Sequence, residues 1–399
     1  MYSHITYSVN TLYNEVVKTP KVVLIHDYLT QYGGAERVLE SLCEIFPDAP
    51  IYTGICDEKK LTKNLRNKKI ITPHGVNVAL LKFPTLSKYF TCLMPLVFEG
   101  FDLSEFDIVI SNSSSYAKGV LTKPNQLHIS YIHTPPRFLY GYSVESTKRT
   151  AWYYKPVVSY VDHFLRIWDY CAAQRADYTL TNSYETQKRI KKFYGRSSTV
   201  IYPPVDMNYP NLTNSSPSYY LAVGRLVAYK NFDFLIEAFN LTEMSLVILG
   251  KGPEEKRLKK LAKSNIKFLT NAGDVEKQNA FSDSIGVIFP VENEDFGIVP
   301  VESKFFGKPV LAHRSGGVLE TVREGVDGMF FDKFSIDHFL GKLKEFDSNV
   351  RAKVYNQEMI KSDTQRFSKD RFKKEVSSFI TRKWEEHNAG TTGSSNNNL

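Results

Sequence analysis

The sequence has few cysteines and no long apolar segment. Its 399 residues include four cysteines, Cys43, Cys56, Cys92 and Cys171, without the paired spacing of a zinc site. Isolated thiols are typical of a reducing compartment, so we expect a cytoplasmic protein. No apolar run approaches the ~18 residues that a membrane-spanning helix needs. Residues 1–20 also lack the basic start and apolar core of a signal peptide. These absences argue against a disulfide scaffold, a transmembrane protein and a secreted protein.

Basic residues outnumber acidic ones mainly in the first half of the chain. The net charge is +8, and residues 1–200 hold 24 Lys and Arg against 17 Asp and Glu. This excess favours an acidic partner, such as nucleic acid, an anionic lipid surface or a phosphorylated acceptor. A solvated basic face is the alternative. The interleaved aromatic and basic residues of a nucleic-acid module are missing, so we expect no nucleic-acid partner.

Composition and the order of predicted elements indicate two α/β domains. The chain is 42% hydrophobic and 24% charged, which is ordinary for a globular protein. Strand-like apolar runs alternate with helical segments in both halves, which predicts parallel sheets covered by helices. The predicted units are an N-terminal extension (1–20), a first domain (21–204), a polar linker (205–218), a second domain (219–365), a C-terminal helix (366–387) and a disordered tail (388–399).

The sequence of one stretch of the second domain predicts a strand, an acidic loop and a helix. The strand is Ile285–Phe289, the loop is Glu292–Gly297, and the helix is Ile298–Phe306. Gly297 allows the backbone to approach a ligand closely. The N-terminal amides of the helix that begins at Ile298 would face an anion.

Two carboxylates flank this predicted anion site. Glu294 lies in the loop, and Glu302 follows after seven intervening residues, in the first turns of the helix. Carboxylates beside an anion site are compatible with a ligand that also carries hydroxyl groups, and a sugar nucleotide has both. The alternative is a capping glutamate on an ordinary strand–helix unit.

The motifs of this stretch resemble the signature of retaining glycosyltransferases of family four, which have the GT-B fold. The similarity lies in EDFGIVPVE (294–302), GKPVLA (307–312) and SGGVLETV (315–322). It implies that Glu294 contacts the donor sugar and Glu302 the ribose. Phe296, Gly297 and Ile298 are predicted to line the same substrate site. One extra residue precedes the motif, so Glu292 is the alternative to Glu294; the DFG sequence that follows favours Glu294.

Two motifs of the first domain agree with this resemblance. Gly33 and Gly34 follow the strand KVVLIH (21–26), and in the family a glycine pair here lies close to the donor phosphates. His133 ends the strand of LHISYIH (127–133) and begins HTPPR, which is similar to the family's His-Thr-Pro block. The resemblance implies that His133 contacts the donor sugar or a phosphate. The alternatives are a simple turn at the glycines and a core histidine.

The second domain supplies two cations and two further glycines. Arg225 and Lys230 lie five residues apart at a strand–helix junction, a position that suits a diphosphate. The family places an arginine and a lysine at the same junction, although surface cations near a turn are common. Gly250 and Gly252 form a tight loop before the next helix and are predicted to contact substrate.

The resemblance implies a fold, an activity and a class of donor substrate. We expect two Rossmann-like, doubly wound domains facing a cleft, with the C-terminal helix crossing back to the first domain. The expected activity is a retaining hexosyltransferase, in the favoured case a mannosyltransferase of polysaccharide biosynthesis that acts on a saccharide or lipid-linked acceptor. The expected donor is a nucleotide diphosphate sugar, with GDP-mannose favoured and a UDP-sugar as the alternative. An Asp-x-Asp motif is missing from the sequence, so no metal is predicted.

Other functions remain open at this point. A sugar-nucleotide epimerase, a hydrolase or a phosphorylase could share the fold, and so could a non-catalytic nucleotide-sugar binder. The segment Asp57–Lys69 carries six basic residues and precedes the apolar segment Val76–Phe101. Such a pair is typical of peripheral contact with an anionic membrane, here the inner face of the plasma membrane. The alternative is a solvated helix beside a core segment.

Overall fold

A computed structural model of the protein describes residues 19–82, 92–142, 155–205 and 217–394. The predicted N-terminal extension falls mainly on residues 1–18, and the predicted linker mainly on 206–216. Both therefore lie outside the described residues.

The first domain is built on a seven-stranded parallel sheet within the described residues, in the order β3-β2-β1-β4-β5-β6-β7. Its longer strands are continuous apolar runs, such as Val23–Ile25, because helices cover both faces of the sheet. The strands are β1 (Val22–Leu29), β2 (Ile51–Cys56), β3 (Ile70–Ile71), β4 (Ile108–Ser113), β5 (Leu127–Ile132), β6 (Tyr178–Thr181) and β7 (Thr199–Val200). The helices are α1 (Gly34–Ile45), α2 (Lys63–Arg66), α3 (His74–Lys82), α4 (Met94–Glu99), α5 (Lys155–Gln174) and α6 (Tyr184–Tyr194).

The second domain repeats this architecture with six parallel strands among the described residues, in the order β10-β9-β8-β11-β12-β13. The strands are β8 (Tyr219–Val223), β9 (Leu246–Leu249), β10 (Ile266–Leu269), β11 (Ser284–Phe289), β12 (Val310–His313) and β13 (Gly328–Phe331). The helices are α7 (Phe232–Phe239), α8 (Glu255–Leu261), α9 (Asp274–Ser282), α10 (Ile298–Phe305), α11 (Val318–Thr321), α12 (Ile336–Arg351) and α13 (Gln357–Ser362).

The prediction of two Rossmann-like, doubly wound domains is confirmed. In the first sheet the strand order reverses between β1 and β4, and in the second between β8 and β11. Ligands of open α/β sheets bind at such reversals, beyond the carboxyl ends of the strands. The loops that follow these four strands therefore define where a substrate site belongs.

The last helix, α14 (Lys369–Ser394), packs on the first domain. Phe372, Val376 and Ile380 are buried in the same apolar cluster as Leu24 of β1, and Lys373 pairs with Glu44 at 3.2 Å. The helix continues to Ser394, so the prediction of a disordered tail from residue 388 is wrong for 388–394. Extending an existing helix adds one hydrogen bond per residue, which offsets the weak propensity of its Gly and Thr residues. Residues 395–399 lie outside the described part.

Candidate active site

Lys230 and Glu294 meet at the strand reversal of the second domain. Lys230 ends the 3-10 turn Ala228–Lys230 after β8, Glu294 lies in the loop after β11, and Nζ is 2.7 Å from Oε2. Burial alone would lower the pKa of Lys230, but the neighbouring carboxylate of Glu294 raises it overall. The lysine is therefore a buried cation. Arg225, on the same junction, is exposed.

The loop that carries Glu294 is held by backbone contacts. Asn293 adopts a left-handed conformation with φ of 55°, and its N–H donates to the Ser315 hydroxyl at 3.0 Å. The N–H of Gly317 donates to the carbonyl of Glu294 at 2.8 Å. Glu292, the alternative carboxylate, is exposed, whereas Glu294 is half-buried against Lys230.

Helix α10 begins opposite the glycine pair of the first domain. Gly297 precedes it with φ of +92°, a conformation that side chains other than glycine rarely adopt. A Cβ atom on Gly34 would lie 2.6 Å from Cδ1 of Ile298, so the two loops are in contact across the cleft. The predicted residues Gly33, Gly34, Gly297 and Ile298 thus come together.

Glu302 is buried within α10 and contacts cations from both domains. It is 2% exposed, and its Oε1 accepts from Nη2 of Arg37 in α1 at 3.0 Å and from Nζ of Lys277 in α9 at 2.7 Å. Arg37 belongs to the GGAER motif, but the sequence interpretation gave it no role. A ribose hydroxyl that donates to Glu302 would share this carboxylate with two cations.

His133 lies at the end of β5, beside the strand reversal of the first domain. The residue is 9% exposed, and burial lowers its pKa to about 3, with a further decrease from nearby His26. The imidazole is therefore neutral near pH 7. Its Nε2 lies 2.6 Å from Oδ1 of Asn112, at the end of β4.

Three of the predicted substrate contacts have a packing explanation instead. Phe296 is 3% exposed and lies in an apolar cluster with Val205, Val301 and Phe367, so its predicted contact with substrate is not supported. Cβ atoms on Gly250 and Gly252 would collide with the 224–226 backbone, at 1.9 Å from the Gly224 carbonyl oxygen and 2.2 Å from that of Leu226. These glycines support the loop that carries Arg225.

The sequence interpretation missed a cluster of contacts between the domains at Asp295. Arg137, which follows β5, contacts Oδ1 of Asp295 at 3.1 Å, and Arg189 of α6 pairs with the same oxygen. The hydroxyl of Ser183 donates to the carbonyl of Asp295 at 2.5 Å. Burial raises the pKa of Asp295, and this effect outweighs the opposite effects of the two arginines. The signal in the sequence that could have indicated these contacts is the position of Asp295 directly after Glu294.

A second contact between the domains involves Glu320. Its two carboxylate oxygens accept from the backbone N–H groups of Tyr184 and Glu185, each at 2.9 Å. These are the first amides of α6, where a carboxylate is favoured by the helix dipole. The contacts of Glu320 and Asp295 both hold the N-terminal part of α6 against the second domain.

Within the four described ranges, no group of three or more His, Cys, Asp and Glu side chains could hold a metal ion. Among the helices of these ranges, none is both long and apolar enough to cross a membrane.

Comparison with known proteins shows similarity along most of the chain. Residues 32–209 match the model of Glycosyltransferase Family 4, and residues 209–361 match that of Glycosyl transferases group 1. Alpha-1,3/1,6-mannosyltransferase ALG2 of Candida glabrata is 23% identical over 376 residues, covering 76% of this chain and 78% of that protein. The GDP-mannose-dependent alpha-mannosyltransferase of Corynebacterium glutamicum is 31% identical over 110 residues, or 28% of this chain and 26% of that protein.

Solved glycosyltransferase structures share the two-domain architecture. The lipopolysaccharide outer core galactosyltransferase WaaB is 17% identical with a TM-score of 0.61, covering 91% of this chain and 99% of that chain. Anabaena HepE, solved with UDP and glucose, is 18% identical with a TM-score of 0.62, covering 91% of this chain and 100% of that chain. At these identities the likeness establishes the fold. The two family models, which together span residues 32–361, show that the chain belongs to the family-four glycosyltransferases; its fold is GT-B, and it resembles the mannosyltransferases among them.

Proposed function

We propose that this glycosyltransferase is a retaining, metal-independent hexosyltransferase that uses a nucleotide diphosphate sugar. The observation that carries the proposal is the 2.7 Å contact between Lys230 and Glu294 at the strand reversal of the second domain. It holds a cation for a diphosphate and a carboxylate for a sugar hydroxyl within one hydrogen bond of each other. A nucleotide sugar presents both groups across its glycosyl–phosphate bond.

The favoured donor is GDP-mannose. Its support is the resemblance to proteins described as alpha-1,3/1,6-mannosyltransferase and as GDP-mannose-dependent alpha-mannosyltransferase. A UDP-sugar is the alternative donor, because HepE was solved with UDP and glucose. In either case the ribose would lie at Glu302 and the hexose at Glu294 and His133.

The charges around the site suit cleavage of the bond between the sugar and the diphosphate. As this bond breaks, negative charge grows on the departing phosphate. Arg225, Lys230, the amides of Gly33 and Gly34, and the N-terminal end of α10 would stabilise that charge. The acceptor oxygen forms the new bond to the anomeric carbon on the face that the phosphate leaves, and its proton passes to a phosphate oxygen. Cations and helix amides can supply this stabilisation without a metal ion.

The acceptor is a saccharide or a lipid-linked saccharide in this proposal, and the enzyme works at the cytoplasmic face of a membrane. Lys59, Lys60 and Lys63 support this location, because all three are exposed in the segment between β2 and the edge strand β3. Exposed lysines are attracted to anionic lipid head groups. Such an enzyme would serve polysaccharide biosynthesis.

The test is to incubate the full chain with GDP-mannose, UDP-glucose or UDP-galactose and a set of saccharide acceptors, with and without a metal chelator. We expect release of the nucleoside diphosphate and a product whose anomeric configuration, determined by NMR, equals that of the donor. Release of free sugar alone would indicate a hydrolase, and a requirement for inorganic phosphate a phosphorylase. Loss of activity with the chelator would contradict the metal-independent mechanism.

A further inference from the structure

A chain of buried polar side chains connects the glycine loop of the first domain to His133. The N–H of Gly33 donates to Oε2 of Glu36 at 2.7 Å, and Oε1 of Glu36 lies 3.6 Å from Nε2 of His26. Nδ1 of His26 lies 3.0 Å from Nδ2 of Asn112, and Oδ1 of Asn112 lies 2.6 Å from Nε2 of His133. Glu36, His26 and Asn112 are each at most 5% exposed. The proposed mechanism above uses none of these three side chains.

A backbone carbonyl decides the orientation of the Asn112 amide. Nδ2 of Asn112 lies 2.8 Å from the carbonyl oxygen of Ala35, which can only accept a hydrogen bond. If the amide were turned over, two oxygens would face each other at this point. The nitrogen therefore points to Ala35 and His26, and the oxygen points to His133.

This orientation determines where the proton of each imidazole lies. The amide oxygen of Asn112 can only accept, so Nε2 of His133 must donate and carries the proton. The imidazole is neutral, so its Nδ1 carries a lone pair. On the other side, Nδ2 of Asn112 donates to Nδ1 of His26, which places the His26 proton on Nε2, facing the carboxylate of Glu36.

The second nitrogen of His133 is left as an acceptor. Nδ1 makes no hydrogen bond with the described part of the chain. It is also not one of the fully buried side-chain atoms that have no partner, so it is accessible to solvent. By contrast, Nδ1 of the neighbouring buried His128 is sealed and unpartnered. The free lone pair of His133 therefore lies where a ligand's hydroxyl group could reach it.

We propose that Asn112 is a positioning residue that holds His133 in the Nε2–H tautomer, so that Nδ1 accepts a hydrogen bond from a hydroxyl group of the transferred hexose. This inference rests on the proposed function for the identity of the ligand. His26 accepts from Nδ2 of Asn112 and faces Glu36, which in turn accepts from the Gly33 amide. The 3.6 Å separation between Nε2 of His26 and Oε1 of Glu36 is longer than a hydrogen bond, so the orientation of His133 is assigned to Asn112 alone.

The tautomer can be read directly by long-range ¹H–¹⁵N correlation spectra of the full chain labelled at histidine, near neutral pH. The signals of His133 are assigned from their loss in His133→Gln. We expect a protonated Nε2 and an unprotonated Nδ1 in the wild type. GDP-mannose should shift the Nδ1 signal, whereas GDP alone should not. A proton on Nδ1 would overturn the inference whether or not the enzyme transfers mannose, and so would equal shifts with both ligands.

Variants of Asn112 separate positioning from folding. Asn112→Leu removes the acceptor, so we expect mixed tautomers and a kcat lowered about tenfold or more, with the Kd of GDP unchanged. Asn112→Asp keeps an oxygen for Nε2–H and should retain the tautomer and more of the kcat. Its second oxygen would face the carbonyl of Ala35, so we expect a lower thermal midpoint than in the wild type. The Asp variant also serves if the Leu variant does not fold. Wild-type kcat in Asn112→Leu, or equal loss of kcat and of GDP binding, would contradict the proposal.

A matched control lies on the same strand. Ser111 contacts Nε2 of the buried His128 through its hydroxyl at 2.9 Å, one residue before Asn112. Ser111→Ala also removes a hydrogen bond to a buried histidine between β4 and β5, but on the other face of the sheet. We expect the His133 signals and kcat to stay at their wild-type values. If the wild type transfers no hexose from any nucleotide sugar, the proposed function fails, while the spectra still decide the tautomer.

Discussion

The guanidinium of Arg37 in the first domain lies 3.0 Å from the carboxylate of Glu302 in the second. The two residues are 265 positions apart, and each belongs to a motif that resembles the family's donor site. Lys277 shares the same carboxylate oxygen at 2.7 Å. The predicted ribose contact is therefore also a contact between the domains.

The first prediction concerns nucleotide binding by Glu302. Glu302→Gln replaces an ionised acceptor by a neutral one where a ribose hydroxyl donates, and a charge-assisted hydrogen bond is worth about 1.5–3 kcal/mol. We expect the Kd of the donor to rise about tenfold or more by isothermal titration calorimetry. Glu324→Gln is the control, since its partner Arg314 is exposed. An unchanged Kd in Glu302→Gln would reject the role.

The second prediction separates the two cations of the junction. Arg225→Ala and Lys230→Met should each lower kcat by about 10²–10³, because both cations stabilise charge that grows as the glycosyl bond breaks. Their effects on stability should differ. Arg225 is exposed, so its loss should leave the thermal midpoint unchanged. Lys230→Met leaves the half-buried carboxylate of Glu294 without its partner and should lower the thermal midpoint.

Steady-state kinetics and thermal unfolding of both variants check this prediction. The exposed Arg257, which pairs with Asp233 on the surface, supplies the control Arg257→Ala. The double variant Lys230→Met/Glu294→Gln should recover part of the lost stability, because the unpaired carboxylate of Glu294 is replaced by a neutral amide. Near-normal turnover in Arg225→Ala would exclude a diphosphate contact.

The third prediction concerns the arrangement of the domains. Asp295→Ala leaves Arg137 and Arg189 without their shared carboxylate, although Arg189 keeps Glu185, so the loss of stability should be smaller than the about 3–5 kcal/mol of a fully buried pair. We expect a larger radius of gyration by small-angle X-ray scattering and a lower kcat. The exposed Asp332, paired with Arg314, provides the control Asp332→Ala. The same radius of gyration in Asp295→Ala and wild type would show that the domains do not depend on this contact.

The fourth prediction follows from the buried histidines. Burial lowers the pKa of His128 and of His133 to about 3, against about 6.5 in the unfolded chain. Between these values the unfolded state binds more protons, so the stability is greatest above pH 6.5 and falls as the pH decreases toward 3. At pH 5 each histidine should cost about 2 kcal/mol.

Thermal unfolding of wild type and His128→Gln between pH 5 and pH 8 measures this effect. The variant should lose less stability on going from pH 8 to pH 5, because one of the two titrating groups is absent. Ser111→Ala keeps both histidines and should retain the wild-type pH dependence. Equal pH dependence in wild type and His128→Gln would contradict a neutral, buried His128.

The fifth prediction tests the basic segment as a membrane contact. Lys59, Lys60 and Lys63 are exposed, and each lysine near an anionic surface is worth about 1 kcal/mol. Changing all three to Glu should reduce co-sedimentation with vesicles that contain anionic lipid, with unchanged activity on a soluble acceptor. The matched control is the same triple change at Lys256, Lys259 and Lys260, which are exposed on α8 of the second domain. Equal vesicle binding by the wild type and the first triple variant would assign the segment to a solvated face.

Local patterns in the amino-acid sequence were sufficient to predict the fold class and the elements that surround the candidate site. Apolar runs of five or six residues alternate with helical segments, and this local pattern predicts doubly wound parallel sheets. Gly297 and the helix from Ile298 were recognised because a strand, a glycine and a helix follow one another directly. His133 was found because the end of a parallel strand is a defined place in such a sheet.

The contacts between residues far apart in the chain could be identified from the folded structure and not from the sequence. Arg37 and Glu302, Asp295 and Arg189, and Asn112 and His133 are far apart in the sequence, and their contacts depend on strand order and on how the domains face each other. The folded structure also showed that Phe296 fills an apolar cluster and that Gly250 is required by the neighbouring backbone. A local pattern specifies the element on which a side chain lies, but contacts between elements arise only when packing brings their surfaces together.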